Sequence, residues 1–451
     1  MLRKNSRIRQ VLGPRGVDFL EFAAGAIERL LPHVKVSNWT EAKSLTPGAT
    51  WASSDRKAIN VRISPDSTSK WGLSAYAERR QVPTGVGAIA RTLDTREHDI
   101  CDRVAKLVSR VLAGENPSGA SSLDAIQQAF DERVVAEHLQ QHHKLTLDVA
   151  RVLGSVGRLA QQTYENKSLA FGCVLDPRKR TADDGLAFPG HLSVAKKYRA
   201  LTDGFRTAYL VSTNGRIVEL LDLDGQGVDK LRGQHFFPEW SEPIARSSHQ
   251  GRCGLALTHS GDVLVFDKGS LRFTYRFGAW QYWNHGHLLD LLRSLARVQH
   301  VERNRIGKVV AAIYRAALDV SFRRTGALFV VLRNRQHLRS VVRAGDAIGD
   351  RERASHDQEL DRPLSKKKFH ALPRCVAAEI AGLDGAVVLA NSGEVLAYGA
   401  VLNPHRAGRL RGSEGSRTKA AIGASNYGLA VKVSSDGDIS VFAKGKKFLT
   451  V

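Results

Sequence analysis

The sequence predicts an α/β protein: a mixed β-sheet flanked by helices, duplicated along the chain, with an additional N-terminal α+β region. Three observations carry this expectation. Apolar runs of strand length alternate with longer segments of three-to-four-residue apolar spacing. One order of elements (helix, strand, helix, hairpin, hairpin) occurs at 148–266 and again at 306–442. The hairpin turns in both copies use Asn, Asp, Ser and Gly, which tolerate the positive φ of tight turns.

Residues 1–125 form the least patterned part of the chain. Asp18 to Leu31 places Phe19, Phe22, Ala23, Ile27 and Leu30 on one helical face. A Ser/Thr/Pro-rich region from Trp39 to Pro83 follows, with a strand expected at Ala58–Ile63. Gly85-Val86-Gly87-Ala88 faintly echoes a dinucleotide loop. The polar Tyr76–Arg80 before it cannot supply the buried strand such a loop needs, so an ordinary turn is the better reading. Asn116 to Ser122 reads as a linker, with Ser122 or Asp124 capping the next helix.

The first copy, within 130–285, runs from a helix at Asp148–Gln162 into an apolar strand at Ser168–Leu175. A helix at His191–Ala200 and hairpins at 208–218 and 254–266 complete it. The second copy, within 295–451, has a helix at Ile306–Phe322 and a strand at Gly326–Leu332. A helix at Lys366–Ile380 precedes hairpins at 386–396 and 428–442. Between the copies, the aromatics of Trp280–Trp283 are expected to pack the lobes together, leading into a helix at His287–Val298.

At 451 residues the chain is long enough for two or three cores. Lys+Arg 67 against Asp+Glu 45 leaves a net charge of +22. Such a field attracts polyanions, meaning nucleic acid, nucleotides or an acidic membrane surface, and charge alone does not choose between these and a soluble protein with a generally basic surface. Cys101, Cys173, Cys253 and Cys375 lie far apart, with neither a disulfide framework nor a zinc-finger spacing. No apolar run approaches the roughly 20 residues needed to span a bilayer, and the basic N-terminus lacks the apolar stretch of a signal peptide. A cytoplasmic protein without membrane attachment is expected.

Two short motifs in the second copy carry the chemistry. Leu383-Asp384-Gly385-Ala386 begins a strand, and Gly415-Ser416-Arg417-Thr418-Lys419-Ala420-Ala421 opens a helix. A helix start presents free N–H groups and the positive dipole end, a seat for phosphate. Arg417 can grip phosphate oxygens bidentately, and Lys419 adds a mobile point charge. An Asp at a strand edge suits Mg²⁺ or Mn²⁺, which favour carboxylate and phosphate oxygens.

This motif pair, with the strand-rich ending after it, resembles the diadenylate cyclase (DAC) domain over roughly residues 300–451. That family carries Asp-Gly-Ala and, later, Gly-Thr-Arg-His-Arg-Ala-Ala. The resemblance implies condensation of two ATP into cyclic di-AMP or a related cyclic dinucleotide, with loss of pyrophosphate. It implies Mg²⁺ or Mn²⁺ on Asp384, and Asp384, Arg417 and Lys419 as catalytic residues. It implies nucleotide contacts at Gly385, Ala386, Leu402, Gly415, Ser416, Arg417, Thr418, Lys419, Ser434 and Ser435. Activity in the family needs two facing domains, so a homodimer or higher homo-oligomer is implied. A nucleotide sensor without catalysis is the alternative. The sequence departs from the family at Thr418, where the middle histidine stands, at Lys419, at Leu383, and at Ser435-Asp436 in place of an acidic pair. In the first copy, Arg206 falls where Asp384 stands, which favours a regulatory role for that copy.

Other clusters read as structural. His138, His142 and His143 could share a metal, but Glu132, Glu137, Gln140 and Gln141 around them point to a solvated helix face. Trp283–His287 reads as a packed turn. Lys366–Lys368 and Arg323-Arg324 read as solvated or as framing a nucleotide site.

Overall fold

The computed structural model describes residues 21–32, 34–41, 50–52, 58–63, 71–77, 93–112, 123–181, 186–190, 198, 200–225, 234–350, 358–359, 361–403 and 415–450. The echo of a dinucleotide loop at 85–88, the linker at 116–122 and most of the helix expected at 191–200 lie outside these residues. The chain divides into two compact units. The first comprises 1–79, 90–235 and 240–283, and the second 80–89, 236–239 and 284–451.

The first unit begins with helix α1 (residues 21–30). An antiparallel sheet follows: β1 (Val34–Glu41), β2 (Thr50–Ala52), β3 (Ala58–Ile63) and β4 (Trp71–Ala77), in the order β1-β4-β3-β2. Helices α2 (Thr95–Leu112), α3 (Leu123–His143) and α4 (Val149–Leu159) come next. Asp148 caps α4 by accepting from the Ala150 and Arg151 amides. After the small β5 (Thr163–Tyr164)–β6 (Lys167–Ser168) hairpin, a seven-stranded sheet forms. Its strands are β7 (Phe171–Asp176), β8 (Thr207–Ser212), β9 (Ile217–Asp222), β10 (Cys253–Leu257), β11 (Val263–Asp267), β12 (Ser270–Arg276) and β13 (Ala279–Tyr282). Helix α5 (Glu242–Ser247) precedes β10. Strand β7 starts later than expected, because Ser168 is taken up in β6.

The second unit holds α6 (His285–Val298), α7 (Ile306–Arg323), β14 (Ala327–Leu332), α8 (Arg374–Gly382), β15 (Ala386–Leu389), β16 (Val395–Ala400), α9 (Ser416–Ala424), β17 (Gly428–Val433), β18 (Ile439–Ala443) and β19 (Lys446–Thr450). The helix expected at Lys366–Ile380 is shorter. A 3₁₀ turn at Phe369–Ala371 precedes it, and α8 begins only after Pro373. Proline has no amide to donate and disfavours helix in the residue before it, so the two segments cannot fuse.

The duplication is a property of the topology. The second sheet runs β16-β15-β14-β17-β18-β19, and the first contains β9-β8-β7-β10-β11-β12 in the same relation, with β13 added. In each, one pair is parallel (β7 with β8, β14 with β15) and every other pair antiparallel. The likeness reaches single hydrogen bonds. The Lys268 amide donates to Ser248 O, and the Lys444 amide to Ser425 O. Both lysines take positive φ ahead of a glycine, in Lys268-Gly269 and Lys444-Gly445. The Phe188 amide donates to Gly215 O, as the Phe369 amide does to Gly393 O.

Two expectations change at the side chains. Trp280 and Tyr282 belong to the core of the first unit, against Tyr275 and Phe273. The histidines of α3 do not form a solvated face, since His138 and His143 are buried and only His142 is exposed. The helix packs on α2, α4 and β13, so its polar residues are enclosed from several directions. In the second unit, buried Asp319 accepts two bonds from Arg374, 2.9 Å from Nε and 2.7 Å from Nη2. The Glu239 amide adds a third at 2.7 Å. Among the described residues no helix is long and apolar enough to cross a membrane.

Candidate functional site

Strands β14 and β15 begin, and β17 ends, at the same end of the second sheet, because β14 is parallel to β15 and antiparallel to β17. Asp384 precedes β15 at this end with its side chain fully exposed. Gly385 follows it at φ +110, and a Cβ there would lie 2.4 Å from the Gly399 carbonyl carbon. The glycine of the Asp-Gly-Ala motif is therefore demanded twice, by its left-handed backbone and by the close approach of β16. Ala386 is buried and pairs with Ala400. Leu402 continues past β16 at this end, half-buried and bridged to Val342.

Helix α9 points its N-terminus to the same end. Gly415 is its N-cap, with extended backbone and no side-chain cap. The Thr418 and Lys419 amides bond back to Gly415 O, at 3.0 and 3.2 Å. The amides of Ser416 and Arg417 precede the helical ladder and are available to an anion. Arg417 Nη2 donates to Asp384 Oδ1 at 3.1 Å, and the Gly385 amide donates to the same oxygen at 3.1 Å. The guanidinium also lies along Gly326, where a Cβ would stand 2.6 Å from Nη1. Thr418 Oγ1 accepts from Lys432 Nζ at 3.0 Å. Ser416 and Lys419 are exposed. Ser434 Oγ accepts from the Asp438 amide at 3.0 Å within the β17–β18 turn, and Ser435 is exposed beside it.

Three cations (Arg417, Lys419, Lys432), one carboxylate and two uncapped amides thus belong to one sheet end, on elements fixed by the core beneath. Both bonds to Asp384 fall on Oδ1, and the fully exposed side chain turns Oδ2 to solvent. One carboxylate plus substrate phosphate oxygens is the donor set Mg²⁺ accepts, so the residues present fit a divalent ion brought with a nucleotide. Gly326 and Lys432 were not singled out in the sequence. Lys432 had a readable signal, as the one charged side chain in the apolar strand Gly-Leu-Ala-Val-Lys-Val. Gly326 had none, because its role depends on Arg417 arriving from α9. Lys368 lies elsewhere, bridged to Glu394 beyond the opposite end of β15.

The family described as DAC, the DisA bacterial checkpoint controller nucleotide-binding domain, matches residues 314–447. The chain carries a DAC domain. The match falls within the second unit and contains Gly326, Asp384, Arg417 and Lys432. Among solved structures, one similar chain is a hypothetical membrane-spanning protein from Bacillus cereus, 23% identical, with TM-score 0.25, over 36% of this chain and 76% of that one. Another is a double mutant of DacA from Staphylococcus aureus, 26% identical, with TM-score 0.21, over 32% of this chain and 87% of that one. No curated protein matches.

The first repeat has the strand order of the second, with different residues at the corresponding sheet end. Exposed Arg206 precedes β8 where Asp384 precedes β15, and its amide is held by Asp203 Oδ1 at 2.8 Å. Helix α5 stands where α9 stands but starts from Ser241 with Pro243 in its first turn. Proline has no amide to offer a phosphate.

Proposed function

We propose that the DAC domain joins two ATP molecules into cyclic di-AMP. Each 3′-hydroxyl attacks the α-phosphate of the other ATP, forming two P–O bonds. Two pyrophosphates leave and the two hydroxyl protons pass to solvent or base. The observation that carries this reading is the meeting of Asp384 with Arg417 at the open N-terminus of α9. Arg417, Lys419, Lys432 and the Ser416 and Arg417 amides hold the triphosphate. Asp384 would hold Mg²⁺ or Mn²⁺ together with phosphate oxygens of the nucleotide, and its exposed pair with Arg417 contributes little that would have to be given up. The bound ion supplies Lewis-acid polarisation of the phosphate and lowers the hydroxyl pKa. One such site places one ATP, so two domains must face each other, and holding both nucleotides in line supplies much of the rate. The first unit acts as the regulator.

The test is incubation of the full chain with ATP and Mn²⁺, with products resolved by chromatography. A cyclic dinucleotide that forms with ATP and disappears in Asp384→Asn supports the reading; nucleotide binding with no cyclic product across several nucleotides and metals sinks it. The second outcome would favour a nucleotide sensor. Thr418 supports that alternative, because the family's histidine is absent and Lys432 occupies the hydroxyl in its place.

A further inference from the structure

The first unit brings two imidazoles and a carboxylate together, with two of their buried atoms left without hydrogen-bond partners. Helix α3 ends in His142 and His143, and both imidazoles reach Asp267, the last residue of β11. His143 Nδ1 lies 2.8 Å from Gly251 O. A carbonyl only accepts, so Nδ1 carries a proton and Nε2 is the ring nitrogen left for another partner. That Nε2 is buried with no hydrogen-bond partner, and so is Asp267 Oδ1, which faces it at 3.6 Å. The side chains are only 2% and 3% exposed. Two polar atoms are thus buried facing each other without a hydrogen bond to either, an arrangement that is costly unless something bridges them.

A cation between them removes the conflict. Around tetrahedral zinc, nitrogen and oxygen ligands at about 2.1 Å stand about 3.4 Å from one another. His143 Nε2 to Asp267 Oδ1 is 3.6 Å, and one ligand atom from each of His142, His143 and Asp267 lies within 4.8 Å of the others. From the two unpartnered buried atoms and the matching spacing, we propose that His142, His143 and Asp267 form a zinc-binding site with one position open to solvent. His142 is 31% exposed and supplies the way in. The Gly251 carbonyl fixes the outer nitrogen of His143, as an orienting partner does for a ligating imidazole. Two imidazoles and a carboxylate favour zinc over Mg²⁺.

Two cations, Arg96 and Arg272, share the Asp267 charge with the site. Arg96, from α2, pairs with Asp267 Oδ2 and leaves Oδ1 for the metal. Its Nη2 also stands 3.4 Å from His142 Nε2, a long contact that a coordinate bond replaces. Arg272 and His249 also feel the Asp267 charge. The ion would tie the C-terminus of α3 to the tip of the β11–β12 hairpin and to the loop at Gly251. The second repeat has no counterpart: Ala443 stands before Lys444-Gly445 where Asp267 stands before Lys268-Gly269.

The test uses the full chain carrying Asp384→Asn and Cys375→Ser, which removes the proposed nucleotide-site carboxylate and the exposed thiol. After chelator treatment, equilibrium dialysis against Zn²⁺ should load about one equivalent. Adding His142→Ala should weaken binding roughly tenfold or more while far-UV circular dichroism stays unchanged, since His142 is the accessible ligand. His143→Ala should weaken it as well. Co²⁺ in place of Zn²⁺ should show tetrahedral ligand-field bands without thiolate charge transfer. No bound zinc, or equal affinity in the parent and both histidine variants, overturns the proposal. Neither readout depends on nucleotide turnover.

Discussion

Asp384 and Arg417, 33 positions apart in sequence, meet at 3.1 Å across the exposed end of the second sheet. The contact joins the two motifs of the DAC domain. It places the carboxylate proposed to hold a metal beside the guanidinium proposed to grip phosphate, each serving as the other's counter-ion.

Asp384→Asn removes the charge and keeps the shape. Cyclic dinucleotide production should fall to background in chromatographic assays with Mn²⁺. The melting temperature should stay within about 1–2 °C of the parent, because the side chain is fully exposed. A large loss of stability would mean the residue is structural.

Gly326→Ala should act on the ligand more than on the fold. Its Cβ would meet the flexible end of Arg417, so ATP affinity should fall several-fold by calorimetry. The left-handed backbone at φ +74 adds about 1 kcal/mol of strain. Gly385→Ala meets the backbone of Gly399 and Ala400 instead. A stability loss of about 2–4 kcal/mol in urea titration is expected there.

Lys432→Met should weaken triphosphate binding and flatten its dependence on salt, since one cation leaves the site. An unchanged salt slope would show that Lys432 serves only to position Thr418.

Asp319→Ala should destabilise the second unit by about 3–5 kcal/mol, leaving Arg374 half-buried without its carboxylate. Urea unfolding measures this directly, and a loss below about 1 kcal/mol would show that solvent reaches the guanidinium.

Asp176 gives the first unit an acid-sensitive element. Burial raises its pKa, but the bonds from Arg178 and Arg252 outweigh that and bring it to about 2. A carboxyl depressed in the folded state contributes stability above its unfolded pKa, near 4, and loses it as pH falls through the folded value. The contribution of Asp176 should therefore be level from pH 7 to about 4.5 and be lost between about 4 and 2. In Asp176→Asn, stability should be lower at pH 7 and that loss should be smaller.

The sequence by itself determined the repeated order of elements and the two DAC motifs. Strand and helix periods are local, as are the turn residues that let Gly215, Gly393 and Gly437 take positive φ. The chemistry of Gly-Ser-Arg at a helix start was equally local, and it pointed to the end of α9 before the sheet was known. Even the one broken helix had its cause in the chain, at Pro373.

Tertiary structure decided which residues meet. Gly326 is a site residue only because α9 lays Arg417 along it, and Lys432 only because β17 runs beneath Thr418. The histidines of α3 read as solvated until packing buried His138 and His143 and brought Asp267 to face His142 and His143. Neighbours along a chain set backbone conformation within a few residues. The partners of a side chain are chosen by packing between elements distant in sequence, and that choice is absent from any local pattern.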